Sequence, residues 1–202
     1  MEISTLVPQV HRAYSRTRPD SVFVKTHNNM GIRHGIPLIT EKYTAGAIYV
    51  LRNPLDTVIS VADHYALQLD EAIEMLNDRR ASIAATDIRT GDYLGSWSSH
   101  VTSWKKIEKS ARHLMRYEDM LNKPEKTFGA VAKFLGLNPS KSRLKKAIQF
   151  SSFDVSRKQE AEKGFIEQSD KAERFFRVGK AGQWKRILSQ AQIDCIIDRH
   201  SN

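Results

Sequence analysis

A single cysteine, Cys195, stands in the 202-residue chain, so no internal disulfide or cysteine-built metal site can form within it. It falls in Ile193-Asp194-Cys195-Ile196-Ile197, an apolar helical stretch, which predicts a buried packing residue rather than a nucleophile. Lack of disulfides fits a reducing compartment. No apolar run approaches the roughly 18–20 residues that span a bilayer, and Met1 to Arg18 has no continuous apolar core of the signal-peptide kind. These absences predict a cytoplasmic protein without a membrane partner. No His/Cys/Asp/Glu cluster has ligand spacing, so no metal is expected. A Gly-x-x-x-x-Gly-Lys-Ser/Thr pattern is missing as well, which argues against a phosphate-loop kinase or NTPase. With no internal repeat and no low-complexity linker, residues 1–202 read as one domain.

What is present is an ordinary soluble composition, 40% hydrophobic and 27% charged, with a net charge of +9. The excess of positive charge favours an anionic partner: nucleic acid, acidic lipid or a phosphate-rich small molecule. The basic residues are dispersed and form no recognisable nucleic-acid-binding motif, so nucleic acid is not expected as a partner.

Three β-rich runs are legible. Ser21-Val22-Phe23-Val24 follows the turn signal Arg18-Pro19-Asp20. Ala45 to Leu51 is nearly all apolar, as a central parallel strand covered on both faces requires. His113 to Tyr117 is the third. Helical spacing follows these runs: from Leu55 through Val58, Ile59 and Ala62 to Leu69; from Trp97 to Ile107, with Trp97 and Trp104 expected in the core; from Phe128 to Leu135, stopping at Gly136; around Leu144 to Ile148; and from Leu188 to Ile196. Strand–helix alternation predicts an α/β fold with a mainly parallel sheet.

Chemistry concentrates where the second strand meets its helix. In Arg52-Asn53-Pro54-Leu55-Asp56, Asn53 suits the N-cap, Pro54 the first helical position and Asp56 the positive helix start. Arg52 is left at the carboxyl end of a parallel strand, where open α/β sheets bind ligands. Its guanidinium can grip a phosphate through paired hydrogen bonds, and Ser60 can add a hydroxyl two turns on. Taken alone, the same residues read equally well as a surface Arg52–Asp56 pair beside a helix-interior serine.

The segment Arg52-Asn53-Pro54 with Asp56 and Ser60 resembles the 3′-phosphate-binding segment of the cytosolic and bacterial sulfotransferases, which use 3′-phosphoadenosine 5′-phosphosulfate (PAPS) and release adenosine 3′,5′-bisphosphate (PAP). Further segments follow in that family's order. Lys25-Thr26-His27 implies His27 as the base that takes the acceptor's proton, a role suited to an imidazole near neutral pH, with Lys25 neutralising the transferring group. Gly95-Ser96-Trp97-Ser98-Ser99-His100-Val101 with Trp104 resembles a scaffold helix, and His100 is assigned no catalytic role. Tyr117-Glu118-Asp119 implies an adenine contact from Tyr117. Ser151-Ser152-Phe153 implies another from Ser151 and Phe153, while the same residues also read as a helix cap and a core aromatic. Phe175 to Lys185 resembles an Arg-x-Gly-x-x-Gly-x-Trp segment, implying Arg177, Val178 and Gly179 at the nucleotide. Val178 and Gln183 depart from the commoner lysine and aspartate, and Lys180 is a candidate to restore the charge. The resemblance spans roughly residues 20 to 190.

It implies a three-layer α/β domain with a central, mainly parallel sheet, related to the phosphate-loop NTPase architecture. It also implies transfer of a sulfuryl group from PAPS to a hydroxyl or amine of a small-molecule acceptor, without a metal. The acceptor is expected to meet the variable segments Met1–Arg18, Asn28–Tyr43, Ala66–Thr90 and Arg157–Glu173. The family's phosphate loop, approximately Tyr-Pro-Lys-Ser-Gly-Thr-Thr-Trp, has no counterpart here, and the 24 residues before Lys25 contain no glycine. The fold is therefore read as truncated at its N-terminus, which predicts weak or absent turnover and self-association through an unpaired strand edge. The alternative is an impaired module that binds 3′-phosphoadenosine nucleotides without turnover.

Overall fold

A computed structural model describes residues 6–85, 90–108 and 111–201. The first half of the chain gives α1 (Val7–Tyr14), β1 (Ile32–Arg33), β2 (Ile36–Pro37), β3 (Ala47–Leu51), α2 (Pro54–Tyr65), α3 (Leu69–Asn77), β4 (Ser82–Ile83) and β5 (Asp92–Tyr93). The second gives α4 (Trp97–Lys105), β6 (Arg112–Arg116), α5 (Tyr117–Asn122), α6 (Pro124–Phe134), α7 (Lys141–Phe150), α8 (Phe153–Lys163), α9 (Trp184–Ile187) and α10 (Gln190–His200). These elements pack as two units, Met1–Tyr49 with Met75–Arg112, and Val50–Glu74 with His113–Ser201.

In the first unit, β1 and β2 form a hairpin closed by His34 and Gly35, both at positive φ (49° and 77°), the backbone that joins two strands in two residues. β4 and β5 form a second small antiparallel pair. Leu38, Leu76, Ala81, Val101 and Trp104 supply its buried apolar residues, whereas Trp97 is only partly buried. Ser96 caps α4, its hydroxyl accepting from the Ser99 N–H.

In the second unit, the β3-to-α2 turn follows the sequence expectation. Asn53 is the N-cap, its side chain accepting from the Leu55 N–H at 2.9 Å, and Pro54 opens the helix. The Asn53 N–H donates in turn to Glu118 Oε1 at 2.8 Å, which ties the start of α2 to α5. Leu55, Val58, Ile59 and Ala62 bury the inner face of α2, and α9 and α10 pack on that helix. Gly136, at φ 70°, stops α6 as expected.

β3 and β6 pair in a parallel sheet, so the α/β class stands. Three of the elements differ from the sequence reading. Ser21–Val24 is not a strand: no described strand pairs with it, and Phe23 is 73% exposed. Without a neighbour to accept its backbone hydrogen bonds, β-propensity alone makes no ladder. β3 is not covered on both faces either, since Val50 is 50% exposed. The periodicity running from Leu55 to Leu69 divides at Ala66, whose left-handed backbone (φ 52°) ends α2 before α3 begins.

Cys195 is exposed, against expectation. α10 turns Ile196 fully inward, and one residue along a helix rotates the side chain by about 100°, which carries Cys195 off the buried face. Among the described residues, no helix is long and apolar enough to cross a membrane.

Candidate functional site

The residues expected at the nucleotide all belong to the second unit. Arg52 leaves the end of β3 and its Nη1 donates to Ser60 Oγ at 2.8 Å, across two turns of α2. Its guanidinium lies 4.6 Å from the centre of the Tyr117 ring, a cation–π distance, and Nη2 reaches the Lys180 carbonyl at 3.4 Å. Arg177 Nε stands 3.4 Å from Asp63 Oδ2. Asp63 is three residues beyond Ser60, so both guanidiniums are held on neighbouring positions of one helix face. Burial raises the pKa of the Tyr117 hydroxyl, with Arg52 pulling the other way and Asp56 and Glu118 adding to the rise.

The glycine-rich segment is gripped from below by two buried carboxylates. Asp56 is 1% exposed and accepts from the Gly182 N–H at 2.6 Å and the Trp184 N–H at 3.2 Å. The sequence alone left this residue either at the positive helix start or in a surface pair with Arg52. Glu160, on α8 and 9% exposed, accepts from the N–H groups of Phe175 at 2.5 Å and Phe176 at 3.0 Å. Arg177 lies between these two anchors. Glu160 was not singled out from the sequence, and no local pattern marks it, since its partners are 15 and 16 residues away. Phe165, Phe175 and Phe176 form a ring cluster beside it, Phe176 edge-on to the other two, with Phe153 reaching Phe176 at 6.1 Å.

Phe153 opens α8 and its ring lies directly on Gly179, whose φ of 66° and missing side chain permit the approach. Val178 is partly buried in the same segment. Ser151 is exposed, and its hydroxyl returns to the Ala147 carbonyl of its own helix at 2.8 Å. Ser152 holds the N-cap position of α8, without a capping bond from its side chain. Arg52, Ser60 and Tyr117 are thus joined directly, and Arg177, Gly179 and Phe153 through the glycine-rich segment. Ser151 is not joined to them by any bond the structure shows.

Lys25 and His27 belong to the first unit, and both are exposed. The backbone after His27 is strapped down at successive residues. His100 Nε2 lies 3.1 Å from the His27 carbonyl, and Trp104 Nε1 donates to the Asn28 carbonyl at 3.1 Å. The Asn29 N–H donates to the Tyr93 carbonyl at 2.9 Å, and the Met30 N–H donates to Ser103 Oγ at 3.0 Å. His100, read from sequence as scaffold without a catalytic role, therefore touches the segment that carries the candidate base. Burial lowers the His100 pKa, outweighing its bond to the His27 carbonyl, which favours the charged ring; nearby His27 lowers it further. Burial also lowers His11, in the same unit.

A depressed histidine pKa means that the unfolded chain binds more protons than the folded one below the ordinary value of 6.5. The stability His100 contributes is present above that value and lost as the pH falls through its lowered one. Thermal melts between about pH 7 and pH 5 should show a declining Tm, with a shallower slope for His100→Gln, which cannot take up the proton.

Residues 2–199 match the family model described as the sulfotransferase domain. The chain belongs to this family. Sulfotransferase 1B1 of Canis lupus familiaris is 27% identical over 181 residues, covering 86% of this chain and 58% of that protein. Sulfotransferase 2A6 of Mus musculus is 26% identical over 155 residues, covering 74% and 53%. The chain therefore spans a little over half the length of these relatives. Among solved structures, retinol dehydratase in complex with androsterone and the inactive cofactor PAP superposes with a TM-score of 0.69 at 21% identity, covering 93% of this chain and 55% of that one. Mouse sulfotransferase SULT7A1 complexed with PAP gives 0.65 at 21% identity, covering 87% and 64%. These likenesses establish the sulfotransferase fold. Of the segments expected to meet an acceptor, residues 1–5 and 86–89 lie outside the described residues.

Proposed function

We propose that the second unit holds the 3′-phosphoadenosine part of PAPS and that the chain serves sulfuryl transfer to a hydroxyl or amine of a small molecule. One observation carries the reading: Arg52 and Arg177 are both fixed along one face of α2, the first on Ser60 and the second on Asp63. A dianionic phosphate suits such a donor set, two guanidiniums and a hydroxyl. The Arg177–Asp63 pair is partly exposed, 31% and 40%, and a pair of that kind is worth only about 0–1 kcal/mol, so an incoming phosphate can displace Asp63. The faces of Tyr117 and Phe153 offer apolar surface to a purine.

When bound, PAPS would supply the sulfuryl group. In this reading the chain's own residues hold the nucleotide, His27 takes the acceptor's proton, and Lys25 offsets charge on the transferring group. Family membership supports the reaction class, and the donor set supports the nucleotide.

Calorimetry with PAP tests the binding half. The wild-type chain should bind it, and Arg177→Ala should weaken the affinity about tenfold, the loss of one charge-assisted contact. No binding by the wild type, or no change on substitution, would overturn the assignment. An assay with PAPS and phenol or alcohol acceptors tests the rest: binding without transfer would leave a nucleotide-holding module and remove His27 as a base.

A further inference from the structure

We infer that Tyr49 and His100 form a positioning pair that fixes the backbone of His27 for proton abstraction. The inference rests on the proposed role of His27 and adds two residues to it. The bonding has one consistent proton arrangement. A carbonyl oxygen only accepts, so His100 Nε2, 3.1 Å from the His27 carbonyl, must carry the hydrogen. Nδ1 of the neutral ring is then an acceptor, and the Tyr49 hydroxyl donates to it at 2.8 Å. Burial favours both halves: it raises the pKa of the Tyr49 hydroxyl, keeping it a donor, and lowers that of His100, keeping its ring neutral.

The pair is itself held rigid. The Tyr49 ring stacks on His100 and on Trp104, with centroids 5.6 Å apart in each case, and Trp104 grips the next residue's carbonyl, that of Asn28. α4 thus delivers two side-chain N–H donors to two consecutive carbonyls, and β3 supplies the tyrosine that braces them. A need for such support follows from the local structure. His27 is exposed, and the residues before it make no strand, so neither burial nor a ladder fixes its backbone. A base displaced by about 1 Å loses about a hundredfold in rate, which makes the carbonyl anchor matter to the reaction as well as to the fold.

The test uses the full chain with labelled histidines and the variants His100→Ala, His100→Gln and Tyr49→Phe. By nitrogen NMR, wild-type His100 should be the neutral Nε2–H tautomer at about pH 7 to 8. Turnover of PAPS should fall about a hundredfold in kcat for His100→Ala, with the donor's KM changed less than about twofold, because the nucleotide residues lie elsewhere in the chain. His100→Gln, whose terminal amide can donate to the same carbonyl, should recover most of the loss. Tyr49→Phe should fall between the two. A charged or Nδ1–H ring, wild-type kcat in His100→Ala, or glutamine no better than alanine would overturn the inference while leaving the function intact. Wild-type PAP binding without any turnover would instead remove the role of His27, and the inference with it.

Discussion

Asp56→Ala should lower the chain's stability by about 3 kcal/mol and weaken PAP binding about a hundredfold. The carboxylate is 1% exposed and is the acceptor for two backbone amides, those of Gly182 and Trp184. Alanine leaves both N–H groups facing a void that offers no acceptor. Each donor then loses about 1–3 kcal/mol, and because Gly182 and Trp184 are only partly buried the two together come to about 3 kcal/mol. The effect reaches the nucleotide because Arg177 rides on the same segment, five residues before Gly182. Asp56→Asn should fall between wild type and alanine, since its oxygen can serve one amide while its NH2 opposes the other. Thermal melts read the stability and calorimetry the affinity. A variant with unchanged melting and unchanged affinity would show that the segment is held by other contacts.

Gly179→Ala should weaken PAP binding by a similar factor through a different route. Its φ of 66° places alanine in the left-handed region, a penalty of about 1–2 kcal/mol. The new Cβ would also strike the Phe153 ring, so the ring or the segment must move, adding about 1–3 kcal/mol of overpacking. Gly182→Ala separates the two contributions. It too has positive φ, 83°, but nothing lies within 4 Å of its added carbon. It should show the backbone penalty alone and keep Phe153 in place. If the two alanine variants bind PAP equally well, the contact between Phe153 and Gly179 has no part in holding the nucleotide.

The parts of this molecule that were legible in sequence are those specified by near neighbours. Asn53-Pro54 announced a helix start because the cap and its target are two residues apart. Gly136 announced a stop because a left-handed residue can be recognised by itself. Arg52 and Ser60 could be matched because eight residues of one strand–helix turn relate them. What escaped depends on contacts far along the chain. Asp56 looked like an ornament of the helix start, and its real partners are 126 and 128 residues away. His100 looked like scaffold, and the carbonyl it serves is 73 residues back. Ser21–Val24 has the composition of a strand, yet a strand exists only in company, and composition says nothing of the company. Cys195 failed for a narrower reason: apolar neighbours on a helix do not all share its inward side.

The two carboxylates beneath the glycine-rich segment grip amide hydrogens, which every residue except proline possesses. Asp56 and Glu160 are consequently indifferent to which side chains the segment bears. Val178 and Gln183 can stand where the resemblance led one to expect a lysine and an aspartate, while the backbone that carries Arg177 keeps its course. The segment's path and its lettering are separable, and specificity can drift along it without unseating the arginine.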